Sequence, residues 1–447
     1  MSRHKLTVSS IFAVIFIGLL LIDSLLSDLS TFVNQSLSEP IRMVLFSALV
    51  AFALLFGTQL VLSNTRRIRT ELGSKNNVLI LISQVMPYIH YAVIALLVII
   101  TLQIIFTSQY FTYFMVASAG INWAAAIVFM GLMSFKFIQW YRAKRNSLVL
   151  LYLISSALIF SILTLGIIPQ TVIMTQTSSF SVNAHSSETK PFQANPLDLS
   201  GLYTMLSVVN WLVVPLSFIL WGATAFMLRR YSSSLERRKY WIMVSFPLAS
   251  IIVGVTSFLI FLPSASTVFD QSVILYTMLA FGGILAEGFL LSVAFIKISG
   301  AIKRRAQSRI SDYLSISARG IAILFVSFFA NPSGGSYLPF GIIAVSFLAF
   351  GSYLFFFGIY CSAISIAGDL RLRQTIRQSL LDQSKFLDNL GLAQVNREIE
   401  KRTTEIIKKH SEVMWKETGI DSPVSDYNVK KYIEEVMGEI QKTKGAK

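Results

Sequence analysis

Glu287 is the single acidic or basic residue among Asp, Glu, His, Lys and Arg in an apolar run from Ile274 to Phe295, near the middle of a stretch long enough to cross a bilayer. A charge at the bilayer centre costs roughly 2.5–3.5 kcal/mol on insertion scales, so such a carboxyl is held protonated, paired or bound to a cation. At helical spacing it shares a face with Ala280, Gly283, Leu291 and Ala294, and the small members of that face let a second helix come close. His90 lies near the middle of another apolar run, three residues after Pro87, and is the natural partner for the carboxyl; Arg319 is a second. Two readings of Glu287 stay open. It is a protonated side chain hydrogen-bonded to a neighbouring helix, or a proton, cation or ligand site. For His90 the simpler account is a satisfied buried imidazole. Asp23, near the end of its run, reads as interfacial, and Asn122 and Asn210 read as interhelical hydrogen-bonding groups.

Other chemistry is missing from the pattern. The chain has no G-x-x-x-x-G-K-[ST] phosphate loop, no H-E-x-x-H zinc pair and no G-x-S-x-G nucleophile turn. His4, His90, His185 and His410 are too scattered for a metal or haem, and no lysine sits mid-run to carry a retinal. The only cysteine, Cys361, lies in the last run and reads as an inert packing thiol, so no disulfide framework exists. No catalytic residue, metal or cofactor is expected, and neither is an enzyme.

The elements that carry these residues are ten apolar stretches: Val8–Leu26, Ile41–Ser63, Val78–Phe106, Thr112–Trp140, Leu148–Met174, Gly201–Met227, Tyr240–Phe261, Ile274–Phe295, Tyr313–Ala330 and Leu338–Ile366. A helix rises about 1.5 Å per residue, so about 20 residues span the roughly 30 Å hydrocarbon core. The fold class is therefore all-α, a polytopic membrane bundle of about ten helices over 1–366 with a small cytoplasmic helical tail at 367–447. Pro87 and Pro247 sit in the first halves of the third and seventh stretches, and Pro215 interrupts the sixth. These are the expected kinks or breaks, with Gly283 as a packing position. Trp140, Tyr141, Tyr240 and Trp241 read as interface anchors.

Charge orients the bundle. Of the 38 Lys and Arg, all but Arg42 and Lys190 fall in the terminal segments, in alternate loops or at the cytoplasmic ends of the runs. Lys and Arg stay on the cytoplasmic side of short loops, which places both termini there. The net charge of +15 has the same source, and it reads as topology signals and contacts to anionic lipid rather than nucleic-acid binding. The first stretch reads as an uncleaved helix, since Asp23-Ser24-Leu25-Leu26-Ser27 is a poor cleavage region. Asn34-Gln35-Ser36 is a glycosylation sequon on the expected outer side.

The tail reads as three amphipathic helices with stripes at helical spacing: Leu372, Ile376, Leu380 and Leu387; Leu392, Val395, Ile399, Ile406, His410 and Val413; and Val429, Tyr432, Ile433, Val436 and Ile440. Gly391 is expected to separate the first two. Such stripes need a surface: each other, a second copy of the chain, the membrane, or a cytoplasmic protein bound through 370–447.

The run Ser362-Ala-Ile-Ser-Ile-Ala-Gly-Asp369, continued by Leu372-Arg-Gln-Thr-Ile-Arg377, resembles a junction in an uncharacterised family of polytopic membrane proteins of ammonia-oxidising archaea. Thr418-Gly-Ile-Asp421 and Tyr432-Ile-Glu-Glu-Val436 are similar to that family's tails. The resemblance covers the last 90 or so residues. It implies an archaeal cell membrane and transfers no activity. Two functions remain: a receptor-like sensor or scaffold relaying a membrane or ligand signal to the tail, or a secondary transporter with Glu287 as its intramembrane proton, cation or substrate site.

Overall fold

Lipid offers no hydrogen bonds to the backbone, so apolar runs of this length satisfy their own amides as helices. The computed structural model describes residues 2–29, 33, 36–72, 77–107, 111–143, 145–176, 196–231, 237–261, 271–306, 309–330, 339–368, 390–397, 399, 403, 405 and 406, and none of these is in a strand. Eleven helices follow in chain order: α1 (Ser2–Asp28), α2 (Glu39–Leu72), α3 (Asn77–Thr107), α4 (Thr112–Ala143), α5 (Ser147–Gln176), α6 (Pro196–Tyr231), α7 (Arg237–Phe261), α8 (Gln271–Ala306), α9 (Arg309–Phe329), α10 (Ile342–Val345) and α11 (Leu348–Gly368).

Among the described residues eight spans are long and apolar enough to cross a membrane, and α1 adds the shorter apolar segment Ile11–Ser27. Each of the ten expected stretches falls on a helix, the tenth on α10 and α11 together. The protein is an all-helical membrane bundle. Asn34, on the expected outer side, lies outside the described residues.

The expected break at Pro215 is not there. Helices run through Pro87, Pro169, Pro215 and Pro247 without interruption, as neighbouring groups in a membrane bundle can take up the backbone carbonyl that each proline frees. The irregularity falls in the tenth stretch instead, where Phe347 N–H bonds Ala344 O three residues back and the chain tightens for one turn. Gly341 adopts φ 88°, a left-handed conformation that glycine reaches without a Cβ clash. α10 makes one turn and ends at Ser346, and α11 begins at Leu348.

The tenth stretch is also the centre of the bundle. Every residue of its most apolar window is buried, against 28% in α3. Phe16 of α1 meets Phe347 edge-on at 4.7 Å between ring centres, and Phe129 of α4 meets Tyr353 at 5.4 Å. Glycines let α9 and α11 touch backbone to backbone. A Cβ on Gly320 would fall 2.5 Å from Phe355 N, and one on Gly351 would fall 2.6 Å from Leu324 N. Gly358 likewise packs against Ser317. Such small-residue contacts are what hold helices together where lipid removes the hydrophobic drive between them.

Packing divides the chain into two units, one of Met1–Ile138 with Leu150–Ser362 and one of Gln139–Val149 with Ala363–Lys447. The expected boundary at 366/367 stands four residues past the end of the first. In the second unit Trp140 is buried and its Nε1 donates to Gln394 Oε1 at 3.3 Å, so it is a packing residue rather than an interface anchor. Residues 390–397 are helical and Gly391 gives room to Ile366, while the first tail stripe, on the other side of the expected separation, lies outside the described residues. The third tail stripe lies outside the described residues.

Candidate functional site

One cluster of buried polar groups surrounds α10 and the turn that leads into α11. The first amides of a helix lack partners within it. Ile342 N–H reaches Pro339 O at 3.3 Å, but Ala344 N–H turns to another helix and donates to Asp23 Oδ2 at 2.9 Å. Asp23 is 0% exposed. The amides of Gly341 and Ile343 also face its carboxyl, yet Oδ1 makes no hydrogen bond, and the neighbouring Ser24 Oγ makes none either. Asp23 is therefore not the interfacial residue its place in the sequence suggested. α1 packs along α2, α9 and α10, and that packing seals the carboxyl inside.

A second layer lies toward α11. Ser346 Oγ donates to Ile342 O at 2.7 Å and stands 3.0 Å from Ser118 Oγ of α4. Asn122 is buried, but its Nδ2 donates to Ser118 O of its own helix, so it is not the expected bridge between helices. His90 is buried on α3, with Nε2 3.2 Å from Thr58 Oγ1 of α2 and its ring 5.6 Å from that of Phe347. Thr58 gives its single hydrogen to Leu54 O at 2.6 Å, so it must accept from His90, which fixes the Nε2–H tautomer from the hydrogen-bond network.

Glu287 occupies a separate place. It is 1% exposed on α8, facing Ser217 and the backbone at Trp221 of α6, and neither carboxyl oxygen makes a well-formed hydrogen bond. The expected His90 partner is absent because α3 directs that ring to α2. Arg319 is not the partner either; its charge acts on Arg67 and Asp312. The close approach on α8 is made by Gly288 against Phe325 of α9, while Gly283 and Asn210 have no described side-chain surroundings. Leu291 and Ala294 are buried as expected. Pro87 and Pro247 lie inside intact helices.

Two buried carboxyls thus stand inside the bundle without an ion pair among the described residues. Either can take a proton, or a cation from one side. Among the same residues no cluster of three His, Cys, Asp or Glu could hold a metal. Asp23 was missed because its depth depends on α10 folding over it. The signal in the sequence was Pro339-Phe340-Gly341, a turn pattern inside an apolar run. Comparison with protein-family models, with curated proteins and with solved structures gives no match.

Proposed function

We propose that the protein is a secondary transporter coupled to protons or a monovalent cation, with Asp23 as the coupling group and Glu287 as a second titrating site. The observation that carries this reading is the buried Asp23 carboxyl bound to the first turn of the central helix, with one oxygen unpartnered. Carriers build ion and substrate sites from helix ends held inside the bundle. An ionisable group in the membrane carries a cost that function explains better than packing does. The purified protein in liposomes should dissipate an imposed proton or sodium gradient faster than empty vesicles. Equal rates under both gradients would overturn the reading.

The receptor-like sensor or scaffold is the second reading, favoured by the burial of the whole most apolar window of the tenth stretch and by the run of α11 on to Gly368. Deleting 370–447 separates the two. A carrier should keep its flux, whereas a sensor should lose its output. The cytoplasmic placement of both termini belongs to either reading and rests on the charge pattern; the archaeal cell membrane rests on the resemblance of the tail. In a Cys361→Ser background, an impermeant thiol reagent should label Ser181→Cys in intact cells and leave Ser233→Cys unlabelled. The opposite pattern reverses every assignment of sides. Both positions lie outside the described residues.

Glu287 gives a further prediction. Its oxygens lack well-formed bonds, and replacing buried charged or polar groups by apolar ones of similar volume is often neutral or stabilising. Glu287→Leu should therefore match or exceed the wild-type Tm in detergent while losing coupled flux. A destabilised Glu287→Leu with normal flux would return the residue to a purely structural role.

A further inference from the structure

Where α2 meets α11, three buried polar atoms lack hydrogen-bond partners: Thr65 Oγ1, Arg69 Nε and Tyr353 Oη. Thr65 and Tyr353 face each other without bonding geometry, and the Arg69 charge acts on the phenol. Thr65 is 2% exposed and Tyr353 0%, while Arg69 keeps part of its side chain open to the outside. Each of the three atoms carries a hydrogen to give. Buried donors without an acceptor are costly and rare, so three in one place mark a site shaped for one. Phe129 closes one side against the Tyr353 ring.

The surrounding charge selects the acceptor. Asp312 of α9 is engaged by Arg67, and Arg319 acts on that same pair. Arg67, Arg69 and Arg319 therefore outnumber the one carboxylate at this end of α2. Guanidinium and hydroxyl donors arriving from different helices suit a tetrahedral oxyanion, which offers acceptors in several directions.

We propose that Thr65, Arg69 and Tyr353 form a binding site for a phosphate group, presented by a phospholipid headgroup or as free phosphate. The site is independent of the carrier reading. It is tested by thermal stability of the full-length protein in neutral detergent, titrated separately with inorganic phosphate, with phosphatidylglycerol against a diacylglycerol that lacks the phosphate, and with sodium chloride at matched ionic strength. A ligand that binds the folded state alone raises Tm in a saturable way. Saturation by phosphate identifies a soluble anion, and saturation by phosphatidylglycerol alone identifies a headgroup. Arg69→Gln and Tyr353→Phe should each weaken the apparent affinity at least tenfold, and Arg66→Gln, on the exposed side of the same helix, should not. Tyr353→Phe removes only a hydroxyl, so it keeps the test open should Arg69→Gln fail to fold. No saturable shift in either arm, an equal shift with chloride, a shift that survives in both variants, or equal weakening by Arg66→Gln each overturns the proposal.

Discussion

Asp23→Asn should yield a folded protein that no longer couples flux to an ion gradient. The asparagine oxygen can still accept from Ala344 N–H, so the bond between α1 and α10 is kept. What is lost is the ability to take up and release a proton or to neutralise a cation. Asp23→Leu should differ, because it strands a buried amide at a cost of about 1–3 kcal/mol. The expected series is therefore a near-wild-type Tm with no coupled flux for asparagine, and a lowered Tm with no flux for leucine. Undiminished flux in Asp23→Asn, measured in proteoliposomes with a pH-reporting or sodium-reporting dye, would remove Asp23 from the coupling role. A loss shared by Glu287→Gln would place both carboxyls on the transport cycle.

The largest effect on stability should come from one methyl group at the α9–α11 contact. Gly320→Ala and Gly351→Ala each drive a Cβ into backbone atoms of the facing helix, which cannot move aside by changing a rotamer. The helices must separate, and because α11 is enclosed on all sides the strain spreads to its other neighbours. Overpacking of this kind costs about 1–3 kcal/mol per site. Gly18→Ala and Gly120→Ala are the controls. Nothing lies within 4 Å of either added carbon, and a helical alanine is worth about 0.5–1 kcal/mol over glycine. Tm in detergent should fall for the first pair and hold or rise for the second. Equal behaviour of the two pairs would mean that α9 and α11 do not pack as closely as their glycines allow.

What the sequence disclosed follows from what is local. An apolar run of bilayer length forms a helix whatever lies beside it, so the helical bundle could be read directly. A carboxylate in the middle of such a run is costly whatever faces it, and Glu287 could be singled out on that ground alone. Burial by protein rather than lipid left no mark. Lipid tails are as apolar as leucine, so α3, largely open, and α11, fully enclosed, read alike. Partners were hidden for the same reason. His90 was matched to Glu287 by chemistry, but helix rotation gave it to Thr58. Asp23 looked interfacial because its depth is set by a segment more than 300 residues further on.

That separation carries a consequence for synthesis. The stretch around which the bundle is built is the tenth to leave the ribosome, and proteins emerge from the N-terminus onward at about 5–20 residues per second. Until Ile342–Ala367 inserts, the preceding helices surround an unfilled axis, Asp23 lacks the amide it will cap, and the glycines of α9 have nothing to close upon. The nascent bundle thus lacks its central helix for most of its translation, and it should lock in one late step. Chains stopped just before residue 342 should insert with normal topology yet remain open to protease, and adding the next 30 residues should close them.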